Sequence, residues 1–292
     1  MTTKRGLAPK GATPIERALR RVRDASPLLR RLAAWSPVGR LLSVILLARL
    51  VRESIRFAAR ELGSSAAPAQ YTLRESGLRV WLRHGTPDVQ NFDEIFYQRL
   101  YAMPDAVTGA LPIGRPLTVV DLGANIGLAG AFFIGSASAA RVVGFEPDPT
   151  NAEIHDLAIR SNRLGDRWTV VRACAWVETD ELRFLAGGFA ESRLATDEEA
   201  GILVPAVDVF PYLDGADLVK MDVEGSEWQI LSDQRFDRAG IPALVLEYHA
   251  LLCPAPEPEV YVKDLLHQAG YETQPIFHDP DGIGMLWAWR TP

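Results

Sequence analysis

The chain has 292 residues, 48% of them hydrophobic, and a net charge of -6, which suits one α/β domain with an appendage. Its two cysteines, Cys174 and Cys253, exclude a disulfide framework and indicate a reducing compartment without structural zinc. Residues 1–60 carry 14 Lys or Arg and three acids, so a segment of +11 precedes a body of −17, and the two parts are expected to have separate roles.

The basic segment is predicted to be helical. Thr13-Pro14 and Ser36-Pro37 both resemble helix starts, because a capping hydroxyl precedes a proline. Residues 37–60 form an apolar helix interrupted by arginines, and its uncharged part is far shorter than the ~20 residues of a membrane span. No cleavage site follows a short hydrophobic stretch at the N-terminus, so a secretory signal is not expected.

The apolar helix over 37–60 allows more than one partner. It can pack on the rest of the chain or pair with a second subunit, or it can lie on an anionic membrane surface. A nucleic-acid partner is not expected, because no aromatic residues alternate with the basic ones and the body is acidic. The predicted location is cytoplasmic, with peripheral membrane contact left open.

A linker and an entry segment separate the basic helix from the body. Residues 63–69 are rich in Gly, Ser, Ala and Pro, which is typical of a linker. Residues 71–83 alternate around a turn and predict a β-hairpin, and Thr86 then opens a helix. The predicted division is a basic helical extension over 1–70, an entry hairpin and helix over 71–116, and a Rossmann-like domain over 117–292.

The first strand of that domain leads into a glycine turn. Apolar and β-branched residues from 117 to 120 indicate a buried strand that ends at Asp121. Gly123 and Gly127 bracket Asn125 and let the backbone bend tightly. An apolar helix over 128–140 would complete a nucleotide-binding strand, turn and helix.

This turn does not match a nicotinamide-binding fingerprint. G-x-G-x-x-G would require glycine in place of Asn125, and the carboxylate of Asp121 would repel a pyrophosphate. An acid followed by Gly-x-Asn-x-Gly better suits a cationic ligand such as S-adenosylmethionine. The second strand, 141–145, ends at Glu146, whose carboxylate can accept both ribose hydroxyls of an adenosine, although an acid here can also complement a helix dipole.

The middle of the chain contains weaker signals. A helix over 150–164 and a strand over 168–172 lead to Trp176, which can stack on an adenine or simply pack. Residues 181–185 and 202–205 are extended, and a mobile excursion between them, near 187–200, would help to shape the acceptor site.

Candidate catalytic residues follow the fourth and fifth strands. The strand over 217–222 ends at Asp222, Glu224 follows directly, and a helix is predicted from Gly225 to Gln234. Because ligands in open α/β sheets lie at the carboxyl ends of the strands, these acids are expected beside the transferred group. The fifth strand ends near His249, which is a candidate base at neutral pH.

The C-terminus completes a doubly wound sheet. Residues 271–277 and 283–289 flank a turn and predict a hairpin. The predicted fold is therefore α/β, with seven strands of which only the last is antiparallel.

Several motifs together resemble the FkbM-type methyltransferases. They are Asp121-Leu-Gly-Ala-Asn-Ile-Gly127, Phe145-Glu146-Pro147, Asn151, Lys220-Met-Asp222-Val-Glu224-Gly225-Ser-Glu227 and Glu247-Tyr-His249. The resemblance extends from about Val80 to the C-terminus and implies a class I fold, in which the entry segment lies over the cofactor pocket. It also implies an S-adenosylmethionine-dependent enzyme, of a family that mostly methylates oxygens of natural products and glycans.

The site prediction divides the residues between cofactor and chemistry. S-adenosylmethionine is expected to contact Asp121, Gly123, Asn125, Gly127, Glu146 and Trp176. Asp222, Glu224 and His249 are the catalytic candidates, with no metal, because the resembled family is not generally metal-dependent. The acceptor is expected to be a small molecule or a glycan. The alternatives are a nicotinamide- or nucleotide-dependent enzyme on the same fold, and a non-catalytic membrane or partner adaptor that uses the basic helix.

Overall fold

The computed structural model describes residues 37–63, 66–136, 141–187, 193–195, 199–280 and 282–291. The helix start at Thr13-Pro14, the last residues of the helix predicted over 128–140, and most of the excursion predicted near 187–200 lie outside the described residues.

The helices and strands alternate along most of the described chain. The helices are α1 (Pro37–Ala48), α2 (Ser54–Gly63), α3 (Pro87–Phe92, continued by a π-helical turn Asp93–Tyr97), α4 (Asp105–Ala110), α5 (Leu128–Ser136), α6 (Pro149–Asn162), α7 (Phe210–Leu213), α8 (Glu227–Ser232), α9 (Gln234–Arg238) and α10 (Pro258–Gln268). The strands are β1 (Ala69–Thr72), β2 (Arg79–Leu82), β3 (Thr118–Leu122), β4 (Arg141–Phe145), β5 (Trp168–Val171), β6 (Cys174–Trp176), β7 (Asp180–Leu185), β8 (Arg193–Leu194), β9 (Ile202–Asp208), β10 (Leu218–Met221), β11 (Ala243–Tyr248), β12 (Glu272–His278) and β13 (Gly284–Trp289).

A seven-stranded sheet forms the centre of the fold. Its strand order is β12-β13-β11-β10-β3-β4-β5, and β13 is antiparallel to both of its neighbours. The neighbouring pairs from β11 to β5 are parallel. The prediction of seven strands with only the last antiparallel is therefore confirmed, as is the C-terminal hairpin of β12 and β13. The strand order reverses between β3 and β10, which is where open α/β sheets bind their ligands.

Both faces of the sheet are buried under helices. Alternate residues point to opposite faces, so Val119 joins one apolar cluster with α5 and α6, while Val120 joins the other with α8 and α10. A parallel sheet covered on both sides needs continuous apolar strands. This explains why β10 is buried along its whole length although it contains Lys220.

The N-terminal helices pack on the first of these faces. Leu47, Val51 and Phe57 are buried in the same apolar cluster as the hairpin β1–β2. The predicted helix over 37–60 is wrong in one respect, because it is broken into α1 and α2. Val51 forms an antiparallel bridge with Leu73 at the break, and this pairing with the hairpin replaces the helical hydrogen bonds there.

A second, four-stranded sheet follows β5. Its order is β6-β9-β7-β8, and it confirms the extended segments predicted at 181–185 and 202–205. The helix predicted from Gly225 to Gln234 ends earlier, at Ser232. The Asp233 side chain accepts a hydrogen bond from the Arg235 backbone N–H and begins α9 instead. No described helix has both the length and the apolar character needed to cross a membrane.

Candidate active site

The glycine turn after β3 is shaped by close neighbours. Gly123 has φ 80°, and a Cβ atom there would lie 1.7 Å from the backbone oxygen of Asp222. Gly127 has φ 85°, and its Cβ would lie 2.5 Å from the ring of His155. Asn125 also has a positive φ, and its side chain accepts a hydrogen bond from the next backbone N–H. Glycine is therefore required at both positions by space as well as by conformation.

Asp121 is a buried acid at the end of β3. Neither of its carboxylate oxygens accepts a hydrogen bond from a residue that the structure describes. Lys220 Nζ lies 3.4 Å from Asp121 Oδ1 and 3.3 Å from Asp222 Oδ2, and it donates to Gly123 O at 2.6 Å. Burial raises the pKa of Asp121, and Lys220 lowers it in part. The Asp121 carboxylate thus retains acceptor capacity for a ligand.

Lys220 itself is held in the charged form. Its burial would lower the pKa of the ammonium, but Asp222 and Asp121 raise that pKa more strongly. The buried ammonium of Lys220 donates to the Gly123 carbonyl and forms ion pairs with both Asp121 and Asp222. This residue was not predicted as part of the site, although a lysine within the apolar strand Leu218–Met221 was a usable signal.

Glu146, directly after the neighbouring strand β4, binds the backbone of the glycine turn. Its Oε2 accepts the backbone N–H of Asn125 at 2.7 Å, and its Oε1 accepts that of Asp148 at 2.9 Å. Burial raises the pKa of Glu146 to about 7 in spite of these two bonds. The carboxylate therefore fixes the glycine turn, and the second lone pair of each oxygen can still face a ligand.

A pocket of about 550 Å³ opens beside Glu146. Gly123, Asn125, Asn151 and residues of β6 and of the segment 222–226 line it. Trp176 does not line this pocket, although it was predicted beside the cofactor. It packs against the apolar cluster of the four-stranded sheet, because β6 leaves the main sheet and pairs with β9.

A larger open cleft, with about 1970 Å³ of empty space including its mouth, adjoins this pocket. Both are lined by Gly123, Asn125, Asp222 and Glu224, so these four residues stand where the two spaces meet. The cleft also contacts the entry segment, at α3 and the π-helical turn, and the turn between β12 and β13.

His249 is held from both sides by carboxylates. Its backbone N–H donates to Glu227 Oε1 at 2.7 Å, and Nδ1 lies 3.2 Å from the same oxygen. Nε2 lies 3.4 Å from Glu224 Oε2. Burial lowers the pKa of His249, but the fully buried Glu227 raises it, to about 10. The imidazole is therefore a cation at neutral pH. Glu227 was quoted in the motif but was not predicted to have this role.

The acids around His249 share a crowded, poorly hydrated space. The pKa of Glu224 is raised by burial and by the neighbouring charge of Asp222, and His249 offsets part of this effect. The pKa of Glu247 is raised for the same two reasons. Glu224 has φ 51°, an uncommon backbone conformation that directs this residue at the junction of the two spaces.

Three of these residues could also hold a cation. Asp222, Glu224 and His249 each offer one donor atom, and these atoms lie within 4.8 Å of one another. A mixed carboxylate and imidazole set suits several divalent metals. The same side chains also form ion pairs with one another and with Lys220, so the cluster is held together by its own charges.

The comparison with protein families gives one match. The model described as the methyltransferase FkbM domain matches residues 121–273, which is just over half of the chain. That span begins at Asp121 and includes Glu146, Asp222, Glu224 and His249. No curated protein matches the chain in sequence.

Several solved methyltransferase structures share a distant likeness with the chain. An S-adenosylmethionine-dependent methyltransferase from Agrobacterium tumefaciens is 13% identical, with 76% of this chain and 70% of that chain covered and a TM-score of 0.43. TYW2 of M. jannaschii, solved in complex with AdoMet, is 15% identical, with coverages of 78% and 88% and a TM-score of 0.38. Precorrin-6y C5,15-methyltransferase from Geobacter metallireducens is 14% identical, with coverages of 63% and 86% and a TM-score of 0.37.

Proposed function

This chain belongs to the FkbM methyltransferase family, and from that premise we propose that it transfers a methyl group from S-adenosylmethionine to a hydroxyl oxygen of a glycan or small natural product. The observation that carries the proposal is Asp121, a buried carboxylate with unused acceptor capacity at the carboxyl end of the central strand of a Rossmann-like methyltransferase sheet.

The residues around the glycine turn fit this cofactor. The Asp121 carboxylate suits the amino group of the methionine part, and Gly123, two residues further on, lines both the smaller pocket and the open cleft. Glu146 lines the smaller pocket and suits the ribose hydroxyls, with the adenine beyond it toward β6. When bound, S-adenosylmethionine supplies an electrophilic methyl group on a sulfonium.

Glu224 is the group that we assign as the base. It lines both the smaller pocket and the open cleft, so an acceptor oxygen beside it would also be near the methyl group. A general base is most effective when its pKa is near the working pH, and the pKa of Glu224 is raised in that direction by burial and by Asp222. Holding the acceptor in attack geometry supplies the other large part of the rate.

His249 then has an electrostatic role. Since its pKa is raised to about 10, the imidazolium has no free site for the acceptor proton at neutral pH. It stands 3.4 Å from Glu224 and is anchored through Nδ1 by Glu227, so it orients the base. Asp222 is held in place by its ion pair with Lys220. Its negative charge raises the pKa of Glu224.

The donor set supports the proposal of an oxygen acceptor. A hydroxyl must lose a proton as its oxygen bonds to carbon, and a carboxylate of raised pKa at the junction of the two spaces can take that proton. The nicotinamide alternative has less support, because Asn125 stands where a nicotinamide fingerprint needs glycine and the Asp121 carboxylate would repel a pyrophosphate of the same charge. A cytoplasmic location remains a proposal, which the two free cysteines favour.

The proposal is tested by following a labelled methyl group. Wild-type enzyme, labelled S-adenosylmethionine and a panel of hydroxylated sugars, glycans and polyketides are expected to give a labelled ether, whose position mass spectrometry and NMR would locate. Glu224→Gln should lose this activity, whereas Glu178→Gln, an exposed acid outside the cleft, should keep it. Label found on nitrogen or carbon would contradict the oxygen assignment, and transfer in full by Glu224→Gln would contradict the assigned base.

A further inference from the structure

The outer surface of helices α1 and α2 combines arginines with exposed aliphatic side chains. Its members are Arg40, Leu41, Ile45, Arg52, Ile55 and Arg56, which together we name the N-terminal face. Ile55 is 88% exposed, and Leu41 and Ile45 are each 46% exposed. Arginines and aliphatic side chains are also combined in helices that lie in a membrane interface.

Both acids of residues 37–63 are bound to the hairpin. Glu53 accepts hydrogen bonds from the backbone N–H and the hydroxyl of Thr72, at 2.8 and 2.9 Å. Glu61 Oε2 lies 2.9 Å from Nδ1 of His84, which is fully buried. The acids are thus used to attach the helices to the hairpin, and the outer side of this stretch has arginines without exposed acids.

The face is held rigidly on the body. Val51 and Phe57 are fully buried in the main apolar cluster, and the His84 ring that binds Glu61 also bonds the Tyr71 hydroxyl at 2.6 Å. Arg74, from the hairpin, donates to the Arg52 backbone oxygen and extends the basic surface. An already ordered face loses little conformational entropy when it binds.

We propose that the N-terminal face docks the protein on an anionic lipid surface, with its arginines among the headgroups and its aliphatic side chains at the acyl boundary. Charge complementarity supports this occupant, because residues 37–60 carry five arginines and one glutamate, a net charge of +4, whereas residues 61–292 carry −17 and would be repelled.

Other occupants fit the face less well. A symmetric pair of copies would place arginine against arginine, because a two-fold contact uses the same surface twice. A nucleic acid is disfavoured since the one aromatic residue in 37–63, Phe57, is buried. The acidic body of another copy remains the competing partner that the experiment must separate.

The test uses the full-length protein and sedimentation with vesicles. We expect binding to vesicles of phosphatidylcholine mixed with phosphatidylglycerol, weakening as salt rises, and little binding to phosphatidylcholine alone. Each arginine near the surface contributes about a fivefold factor in partitioning. The triple variant Arg40→Gln/Arg52→Gln/Arg56→Gln should therefore bind about a hundredfold more weakly, and the variant with Lys at these three positions should keep binding.

Matched controls separate this face from net charge. Arg141→Gln/Arg167→Gln/Arg238→Gln removes the same charge from exposed positions elsewhere and should bind like wild type. Ile45→Ser/Ile55→Ser should weaken binding at constant charge. A wild-type protein that ignores anionic vesicles at low salt, or a control triple that loses binding equally, would overturn the proposal. So would a concentration-dependent dimer, seen by ultracentrifugation, that the face triple abolishes.

Discussion

The catalytic cleft and the N-terminal face use charge in opposite ways. At and near the cleft, Asp121 is fully buried and Glu224 and Glu247 are half-buried, and burial raises the pKa of each carboxyl. On the N-terminal face the acids bind the hairpin and the arginines are exposed, although Arg56 also donates to the Gln70 carbonyl and lies over the Tyr71 ring. The cleft thus has buried negative charge that a cationic ligand would stabilise, whereas the face has solvated positive charge that suits an extended anionic surface.

This comparison shows that the free-energy cost of a charged group depends on whether the group is buried or exposed. A buried carboxylate loses hydration that a surface arginine keeps. Removing a buried carboxylate should therefore change both the local chemistry and the stability of the fold. Removing an exposed arginine should alter association alone. The experiments below examine this contrast, beginning with the largest expected effect.

Glu224→Gln should give the largest change. It removes the assigned base while keeping the shape of the side chain, so turnover should fall by ~10²–10⁴-fold, with cofactor affinity near that of wild type. The wild-type rate should rise with pH through a pKa above the ordinary carboxyl range, since the base acts only when deprotonated. An acidic-limb pKa that is kept in Glu224→Gln and lost in His249→Ala would instead identify the imidazole as the base.

Gly123→Ala should destabilise the fold more than a second glycine variant with a similar backbone. Both Gly123 and Gly77 have positive φ, so alanine costs about 1–2 kcal/mol of strain at either. Only at Gly123 does the new Cβ meet a backbone oxygen, at 1.7 Å, and overpacking adds roughly 1–3 kcal/mol. Urea unfolding of both variants measures the difference. Equal losses of stability in the two variants would mean that the glycine turn can move away from the Asp222 backbone oxygen, so that β10 does not fix its geometry.

The contribution of Glu146 to the stability of the ligand-free protein should fall as pH rises from about 4.5 to about 7. The folded-state pKa of Glu146 is raised from 4.5 to about 7, so the folded state binds this proton more tightly than the unfolded chain. This contribution is therefore fully present below 4.5 and is lost as pH rises through about 7. The shift corresponds to about 3 kcal/mol at most.

Glu146→Gln is the matched variant for that pH dependence. It should flatten the stability curve in this range, when unfolding midpoints are compared at several pH values. The same slope in wild type and variant would show that Glu146 is not the group responsible.

Removal of metal should have the smallest effect. Asp222, Glu224 and His249 could hold a cation, but their mutual ion pairs and the nearby Lys220 already balance much of the charge. Methyl transfer should therefore continue after treatment with a chelator and dialysis. Activity that is lost on chelation and restored by one divalent metal would make the trio a metal site.

Predictions from the sequence were good where the local backbone conformation permits only one type of residue. Gly123 and Gly127 could be recognised because only glycine tolerates their conformation and their neighbours. Asp121 and Glu146 could be placed because parallel strands end at one edge of the sheet. The seven-stranded topology followed from the same alternation of strands and helices.

Contacts between distant segments were the ones that the sequence did not reveal. Lys220 reaches the Gly123 carbonyl, 97 positions away along the chain, and Glu227 binds His249 across two elements. Trp176 does not line the pocket beside Glu146, because β6 pairs with β9 and Trp176 packs in the four-stranded sheet, and its contact with the cofactor stays a prediction. The break in the N-terminal helix depends on the pairing of Val51 with Leu73. The domain boundaries near 70 and 116 stay predictions.

The central claim is that the glycine turn between Asp121 and Gly127 binds S-adenosylmethionine, and titration calorimetry tests it without an acceptor. Wild-type protein should bind S-adenosylmethionine and show no heat with NAD. Asp121→Ala and Glu146→Ala should each weaken binding by roughly ten- to a hundred-fold, because a hydrogen bond to a charged group is worth ~1.5–3 kcal/mol. Unchanged affinity in both variants, or binding of NAD in place of S-adenosylmethionine, would contradict the account.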